Sequence, residues 1–179
     1  GDGAAIAAET KLPVVSDLRA MDIAFGGQGA PIVPIGEKIL LPDYDLFLNI
    51  GGIANISVNT DPYIAFDVCP ANRVLNMLAN EAGNSYDAGG QMAESGTVNT
   101  ALLEALNAME YYRQPFPKSL ANDFGTGVLF PVIKKAEIST ADSLRTYTEH
   151  IAIQVGLAAG HFKNNHPEGG KRRLLVTGG

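Results

Sequence analysis

The residues best placed for chemistry fall between Asp45 and Asn72, in the stretch DLFLNIGGIANISVNTDPYIAFDVCPAN. Two apolar runs, LFLNI and IANISV, meet at Gly51-Gly52, the pattern of two strands joined by a tight glycine turn. A third run, YIAF, follows the turn signal Asn59-Thr60-Asp61-Pro62 and is expected to stop on one acid, Asp67. A glycine turn that exposes backbone N–H groups can hold phosphate. A carboxylate at a strand end can act as a base or orient a nucleophile. The pair therefore suits phosphoryl transfer. The same residues also suit a structural hairpin and a helix N-cap, because Asn72 opens the helix-like segment NRVLNMLANEAG.

The elements that must position these groups follow from periodicity and punctuation. Residues 3–10 read as the end of a helix, and Pro13–Asp17 as a short strand. Asp17–Pro34 is glycine-rich and reads as a loop, and Val33–Leu41 as a segment that a helix after Pro34 would suit. Asp45–Asp67 is a three-strand meander. Asn72–Ala82 is helical, with Val74, Leu75, Leu78 and Ala82 on one face. Residues 83–99 are polar and glycine-rich, a second helix spans Asn99–Met109, and Tyr111–Thr126 is a long loop. The longest helix runs from about Thr140 to Lys163. Leu144, Tyr147, Ile151, Val155, Ala158 and Phe162 form its apolar stripe, and Ser139, Thr140 and Asp142 are its candidate caps. The polar segment NNHPEGGKR ends it, and Leu174–Thr177 is a last strand. The order is a β-β-β-α core, then helices and a further strand. It belongs to an α/β half-lobe with a mixed sheet, as in actin-like (ribonuclease H-like) ATPases, and not to the alternating βαβ order of a dinucleotide-binding domain.

Bulk properties narrow the classes of function. A chain of 179 residues with 46% hydrophobic and 18% charged residues forms a folded core. A net charge of -6 argues against a nucleic-acid surface, and the one basic cluster, Lys171-Arg172-Arg173, is short. No apolar run is long enough to span a bilayer. With Cys69 as the sole cysteine, an intrachain disulfide is impossible, which fits a cytoplasmic protein. The first residues carry no signal-peptide pattern. Gly1 stands where an initiator Met would, and RRLLVTGG halts at a glycine loop, so the chain reads as part of a longer protein. No Cys/His/Asp spacing suggests a zinc site. His150, Cys69 and Tyr111-Tyr112 read as packed, structural residues.

Four segments in fixed order, DLRAMDIAFGGQGAP, LNIGGIAN, AFDVCPAN and LLVTGG, together with Pro117-Lys118-Ser119, resemble the anhydro-N-acetylmuramic acid kinases of bacteria. The resemblance implies an actin-like ATPase that uses ATP and Mg2+, with no metal ligand assigned to any residue here. Its implied reaction opens 1,6-anhydro-N-acetylmuramic acid with water at C1. The released O6 takes the γ-phosphoryl group, giving N-acetylmuramic acid 6-phosphate in cell-wall recycling. Residues 1–44 would end the first lobe and carry a sugar-cleft loop, and 45–179 would begin the second.

Matched residue by residue, Asp67 falls on the family's catalytic aspartate, which activates water. Asn49, Gly51, Gly52 and Asn55 match a phosphate hairpin, and Thr177, Gly178 and Gly179 the start of an adenosine-side motif. Asp17, Arg19, Asp22 and Gln28 match the sugar cleft, and Asn72 the substrate side of the catalytic motif; an Arg there suits a lactyl carboxylate. The sequence departs from the pattern at Val68, Cys69 and Ala71, where the family often has Thr, Gly and Gly, and at Ala20 and Met21, where it commonly has more Arg. The resemblance also implies a small-molecule amino sugar as partner substrate and a homodimer. A related sugar or small-acid kinase, and a non-catalytic nucleotide- or glycan-binding module, are the alternatives.

Overall fold

The computed structural model describes residues 2–26, 33–121, 123–162 and 172–179. It divides into two compact units, Gly1–Pro42 and Asp43–Gly179. Gln28, Lys163, the segment 164–171 and with it His166 and Lys171 lie outside the described residues.

The first unit holds helices α1 (Gly3–Thr10), α2 (Leu18–Ala24) and α3 (Val33–Leu40). Asp2 starts α1, its Oδ1 accepting from the N–H groups of Ala4 and Ala5 at 3.0 and 3.1 Å. Two expectations are corrected here. Pro13–Asp17 forms no strand: Val14 and Val15 favour extended backbone, but no strand pairs with them among the described residues. The segment expected as a loop from Asp17 contains α2, because LRAMDIA has no glycine or proline to interrupt it. None of the three helices buries a residue.

The second unit is built on strands β1 (Leu46–Ile50), β2 (Ile53–Val58), β3 (Ile64–Pro70) and β4 (Leu174–Gly178), in the order β3-β2-β1-β4. The first three form an antiparallel meander, and β4 lies parallel to β1. The carboxyl ends of β1, β3 and β4 therefore share one end of the sheet. Helices α4 (Asn72–Glu81), α5 (Gln91–Ser95), α6 (Thr100–Asn107), α7 (Glu110–Arg113), α8 (Phe130–Lys135) and α9 (Thr140–His161) lie between β3 and β4 in sequence. Alternation decides which face they cover. Leu46, Leu48 and Ile50 pair with Val58, Ile56 and Ala54. From this face Ile56 and Val58 enter one core with Val74 and Leu78 of α4 and with Leu144, Tyr147, Ile151 and Ala158 of α9. The α9 stripe lies as expected: Leu144 and Tyr147 are fully buried, and Ser139 caps the helix by accepting from the N–H of Asp142 at 3.0 Å.

The expected long loop 111–126 is also corrected. It contains part of α7 and leads into a π-helical turn, Phe124–Leu129. Its glycines and prolines hid the helical pieces. Gly125 matters there, because a Cβ would stand 3.1 Å from both Pro70 and Val74.

Candidate active site

One row of side chains crosses the whole sheet near its carboxyl end. Thr177 pairs with Asn49, Asn49 with Asn55, and Asn55 with Asp67, so four strands each contribute one polar residue to the row. Residues directly opposite in a ladder share a face, and this face is opposite to that of Ile56 and Val58. Three strand spacings of 4.7–4.9 Å put Asp67 roughly 14 Å from Thr177. The Thr177 hydroxyl donates to Asn49 Oδ1 at 3.5 Å. The row lies beside the carboxyl ends of β1, β3 and β4, where open α/β sheets bind ligands.

Asp67 is not at the end of its strand. β3 continues through Val68, Cys69 and Pro70, and a bulge falls between Asp67 and Cys69, which pair with the adjacent residues Asn55 and Ala54. Pro70 is tolerated because the strand is at an edge and this is its last residue. Nor is Asp67 a helix cap. Ala71 holds the N-cap position of α4 without a side-chain cap. The Asp67 carboxylate instead grips a distant loop: Oδ2 accepts from Leu120 N–H at 2.9 Å and from the Ser119 hydroxyl at 3.2 Å. Among the described residues no hydrogen bond reaches Oδ1. The backbone is pinned as well, with Asp67 N–H donating to Lys118 O at 3.0 Å and the Tyr111 hydroxyl donating to Asp67 O at 2.6 Å.

Burial, and after it the negative charge of Asp67, keeps the Tyr111 hydroxyl protonated well above its ordinary range, so it stays a donor. Burial pushes the Cys69 thiol up to about 12, against a smaller pull from Lys118, so it is no nucleophile. The departures from the family pattern have a physical account. Val68 is 3% exposed, and Cys69 and Ala71 are 0% exposed, all within the core cluster, so these side chains pack inward. Asn72 acts as a tie: its N–H donates to Gly51 O and its Nδ2 to Ile50 O, each at 3.0 Å.

The glycine turn does not rest on left-handed backbone. Neither Gly51 nor Gly52 has a positive φ. A Cβ on Gly52 would meet only Arg73 Cβ, at 3.9 Å, so space beside the turn is open. The carbonyls of Gly51 and Gly52 accept from Ala71, Asn72 and Arg73, fastening the turn to the start of α4. Gly178 is the constrained position, with φ of +104°, and a Cβ there would strike the backbone of Ile50. The hairpin and the VTGG segment are thus brought together by the pairing of Ile50 with Gly178. Gly179 follows at the exposed end of β4.

Asp17, Arg19 and Asp22 lie on or beside α2 in the first unit and are exposed. Asp17 is bonded by the Ser16 hydroxyl at 3.4 Å. Sequence reasoning missed Ser119, Leu120 and Tyr111 as partners of Asp67. The one signal for them was the quoted Pro117-Lys118-Ser119, since 44 to 53 residues separate the partners. Among the described residues no group of three or more His, Cys, Asp or Glu side chains could hold a metal ion. No helix there is long and apolar enough to cross a membrane.

A mixed sheet with its polar row beside the strand ends, backed by α4 and α9, has the α/β character of an actin-like, ribonuclease H-like ATPase half-lobe. A family model described as anhydro-N-acetylmuramic acid kinase matches residues 1–179. The chain belongs to this family. It is similar to proteins named anhydro-N-acetylmuramic acid kinase from Rhizorhabdus wittichii (38% identical over 186 residues), Photobacterium profundum (36% over 188) and Aliivibrio fischeri (40% over 186). Each match takes in 100% of this chain and 48%, 50% and 50% of the respective relative, so the chain spans about half the length of the curated relatives it matches.

Proposed function

We propose that the whole protein is an ATP-dependent kinase that opens 1,6-anhydro-N-acetylmuramic acid and phosphorylates O6, giving N-acetylmuramic acid 6-phosphate for cell-wall recycling. One observation carries the assignment of roles: the cross-sheet row that aligns Asp67, within β3, with Asn55, Asn49 and Thr177. Asp67 takes a proton from water as its oxygen bonds to C1. The C1–O6 bond breaks, and O6 accepts the γ-phosphoryl group of ATP. Asn49, Gly51, Gly52 and Asn55 face the phosphates, with Thr177 to Gly179 on the adenosine side. Asp17, Arg19 and Asp22 serve the sugar, with Arg19 toward its carboxylate.

The amide and hydroxyl oxygens of Asn49, Asn55 and Thr177 are hard donors that suit Mg2+, an ion that commonly arrives on substrate phosphates and takes few protein ligands. When bound, it neutralises phosphate charge. A cytoplasmic homodimer, with residues 1–44 ending the first lobe and 45–179 beginning the second, completes the reading. A changed acceptor is less well supported, because the departures at Val68, Cys69 and Ala71 are buried side chains.

The test is ADP release by the full-length protein with ATP, Mg2+ and the anhydro sugar in 18O-labelled water. Sugar-dependent ADP release with one 18O at C1 is expected. Release without the sugar, or a product lacking the label, overturns the reading.

A further inference from the structure

The segment 118–120 has a geometry that the reaction alone does not require. It runs along β3 at the bulge, receives the Asp67 N–H on Lys118 O, and returns two donors, Ser119 Oγ and Leu120 N–H, to a single carboxylate oxygen. No regular helix or strand spans 114–121, so these donors cap nothing. Lys118 anchors the segment from the other side. Its Nζ donates to Tyr111 O at 3.0 Å and lies 4.5 Å from the Tyr111 ring centroid and 5.1 Å from that of Phe116. Tyr111 closes the loop through its hydroxyl, which donates to Asp67 O.

We propose that Lys118 and Ser119 form a latch that aims Asp67, with Ser119 as a positioning residue that holds Oδ2 and so presents Oδ1 to the attacking water. The proposal rests on the reading of Asp67 as the base. A carboxylate with both oxygens free rotates about χ2, which is a broad torsion. A base must lie within hydrogen-bond reach of the proton it removes. Two donors on one oxygen restrict that rotation. The buried Tyr111, 7% exposed, fixes the peptide that carries the side chain. Lys118 carries no part of the reaction; its ammonium holds residues 118–120 against the aromatic pair.

The experiment uses the full-length protein with ATP, Mg2+ and 1,6-anhydro-N-acetylmuramic acid, following ADP release and thermal melting. Ser119→Ala is expected to lower kcat about tenfold, the order of a lost hydrogen bond to a charged group. KM for ATP and the melting temperature should stay unchanged. Ser119→Thr, which keeps the hydroxyl, should restore kcat to within about twofold of wild type, since one hydrogen-bond partner is retained. Lys118→Met, which keeps most of the bulk, should show the same fall in kcat at constant KM. If Lys118→Met does not fold, the Ser119 pair decides alone. Normal kcat in Ser119→Ala beside an inactive Asp67→Asn overturns the latch while leaving the base intact. A loss that Thr does not rescue also overturns it. An active Asp67→Asn overturns the base and the latch together.

Discussion

The two units treat their apolar residues in opposite ways. In Asp43–Gly179 they converge: Leu78, Leu106, Leu144, Tyr147 and Ile56 are all 0% exposed. In Gly1–Pro42 the helices bury nothing, and Leu12, Val15, Phe25, Ile35 and Ile39 are all more than half exposed. Both stretches are rich in apolar residues, so composition does not separate them. What separates them among the described residues is the sheet, which gives helices of the second unit a common surface to cover, whereas the three short helices of the first unit have no sheet of their own. A carboxylate that needs a fixed orientation belongs in the first kind of surroundings, and that is where Asp67 lies.

The comparison can be broken most decisively at that carboxylate. Asp67→Asn in the full-length protein should lower turnover by ~10²–10⁴, the usual contribution of a general base, and leave ATP binding largely intact. Arg19→Ala in the first unit should act mainly through KM for the sugar. Steady-state kinetics with calorimetric ATP titration would separate the two, and near-normal turnover in Asp67→Asn would remove the active site from the second unit.

Stability should divide the same way. Leu144→Ala empties a fully buried site and should cost about 2–5 kcal/mol. Leu12→Ala, at 65% exposure, should change stability by less than about 0.5 kcal/mol. Urea melts of the chain measure both, and equal losses would mean that the first unit hides a core of its own.

A smaller, pH-dependent effect reads the core from within. His150 is fully buried, with Nδ1 2.7 Å from Asn107 Oδ1 and Nε2 3.0 Å from the Tyr112 hydroxyl. Asn107 Oδ1 also accepts from Gln154 at 2.8 Å, so the imidazole carries its proton on Nδ1 and accepts on Nε2. Burial lowers its pKa from 6.5 to about 4. The unfolded chain therefore binds the proton first on acidification. The stabilising contribution is complete above pH 6.5 and drains away as pH falls toward 4, by about 3 kcal/mol in all. His150→Gln should flatten that slope, measured as urea midpoints between pH 7 and 4.5. An unchanged slope would assign the acid sensitivity to other groups.

The smallest effect on folding is expected at the turn. Gly52→Val should leave the melting temperature within a few degrees, because φ there is not positive and the nearest atom to a new Cβ is 3.9 Å away. Any loss of ATP affinity in the full-length variant then reports a phosphate beside the turn. A large fall in melting temperature would show that the glycine serves the fold instead.

How far these features could be read in advance depended on how local their causes are. The meander was legible because alternation and the glycine turn lie within a few residues of each other, and α9 because its stripe repeats over six positions. α2 was not legible, since the neighbouring glycines dominate the reading of DLRAMDIAFGG. The expected end of β3 at the acid Asp67 falls short, because the bulge that carries the strand onward depends on its partner β2. Within the candidate site, Asp67 and Asn72 are singled out by motif alone. The partners of Asp67 are not, because a hydrogen bond across 52 residues leaves no periodicity. The polar row required registers on four strands, including β4, more than a hundred residues downstream of β1.

The bulge has a consequence for how β3 tolerates changes in length. Asn55 and Ala54 are neighbours, while their partners Asp67 and Cys69 are separated by Val68. In an ordinary strand, losing one residue turns every later side chain to the opposite face. Here, removal of Val68 would leave Asp67 opposite Asn55 and Cys69 opposite Ala54, with both still facing as they do now. A deletion at any of residues 64 to 66 would instead put one part of the strand out of step with β2. Position 68 is thus slack in register, though its buried side chain is part of the core, and it uncouples the spacing of the helix that follows from the aim of the acid that precedes it.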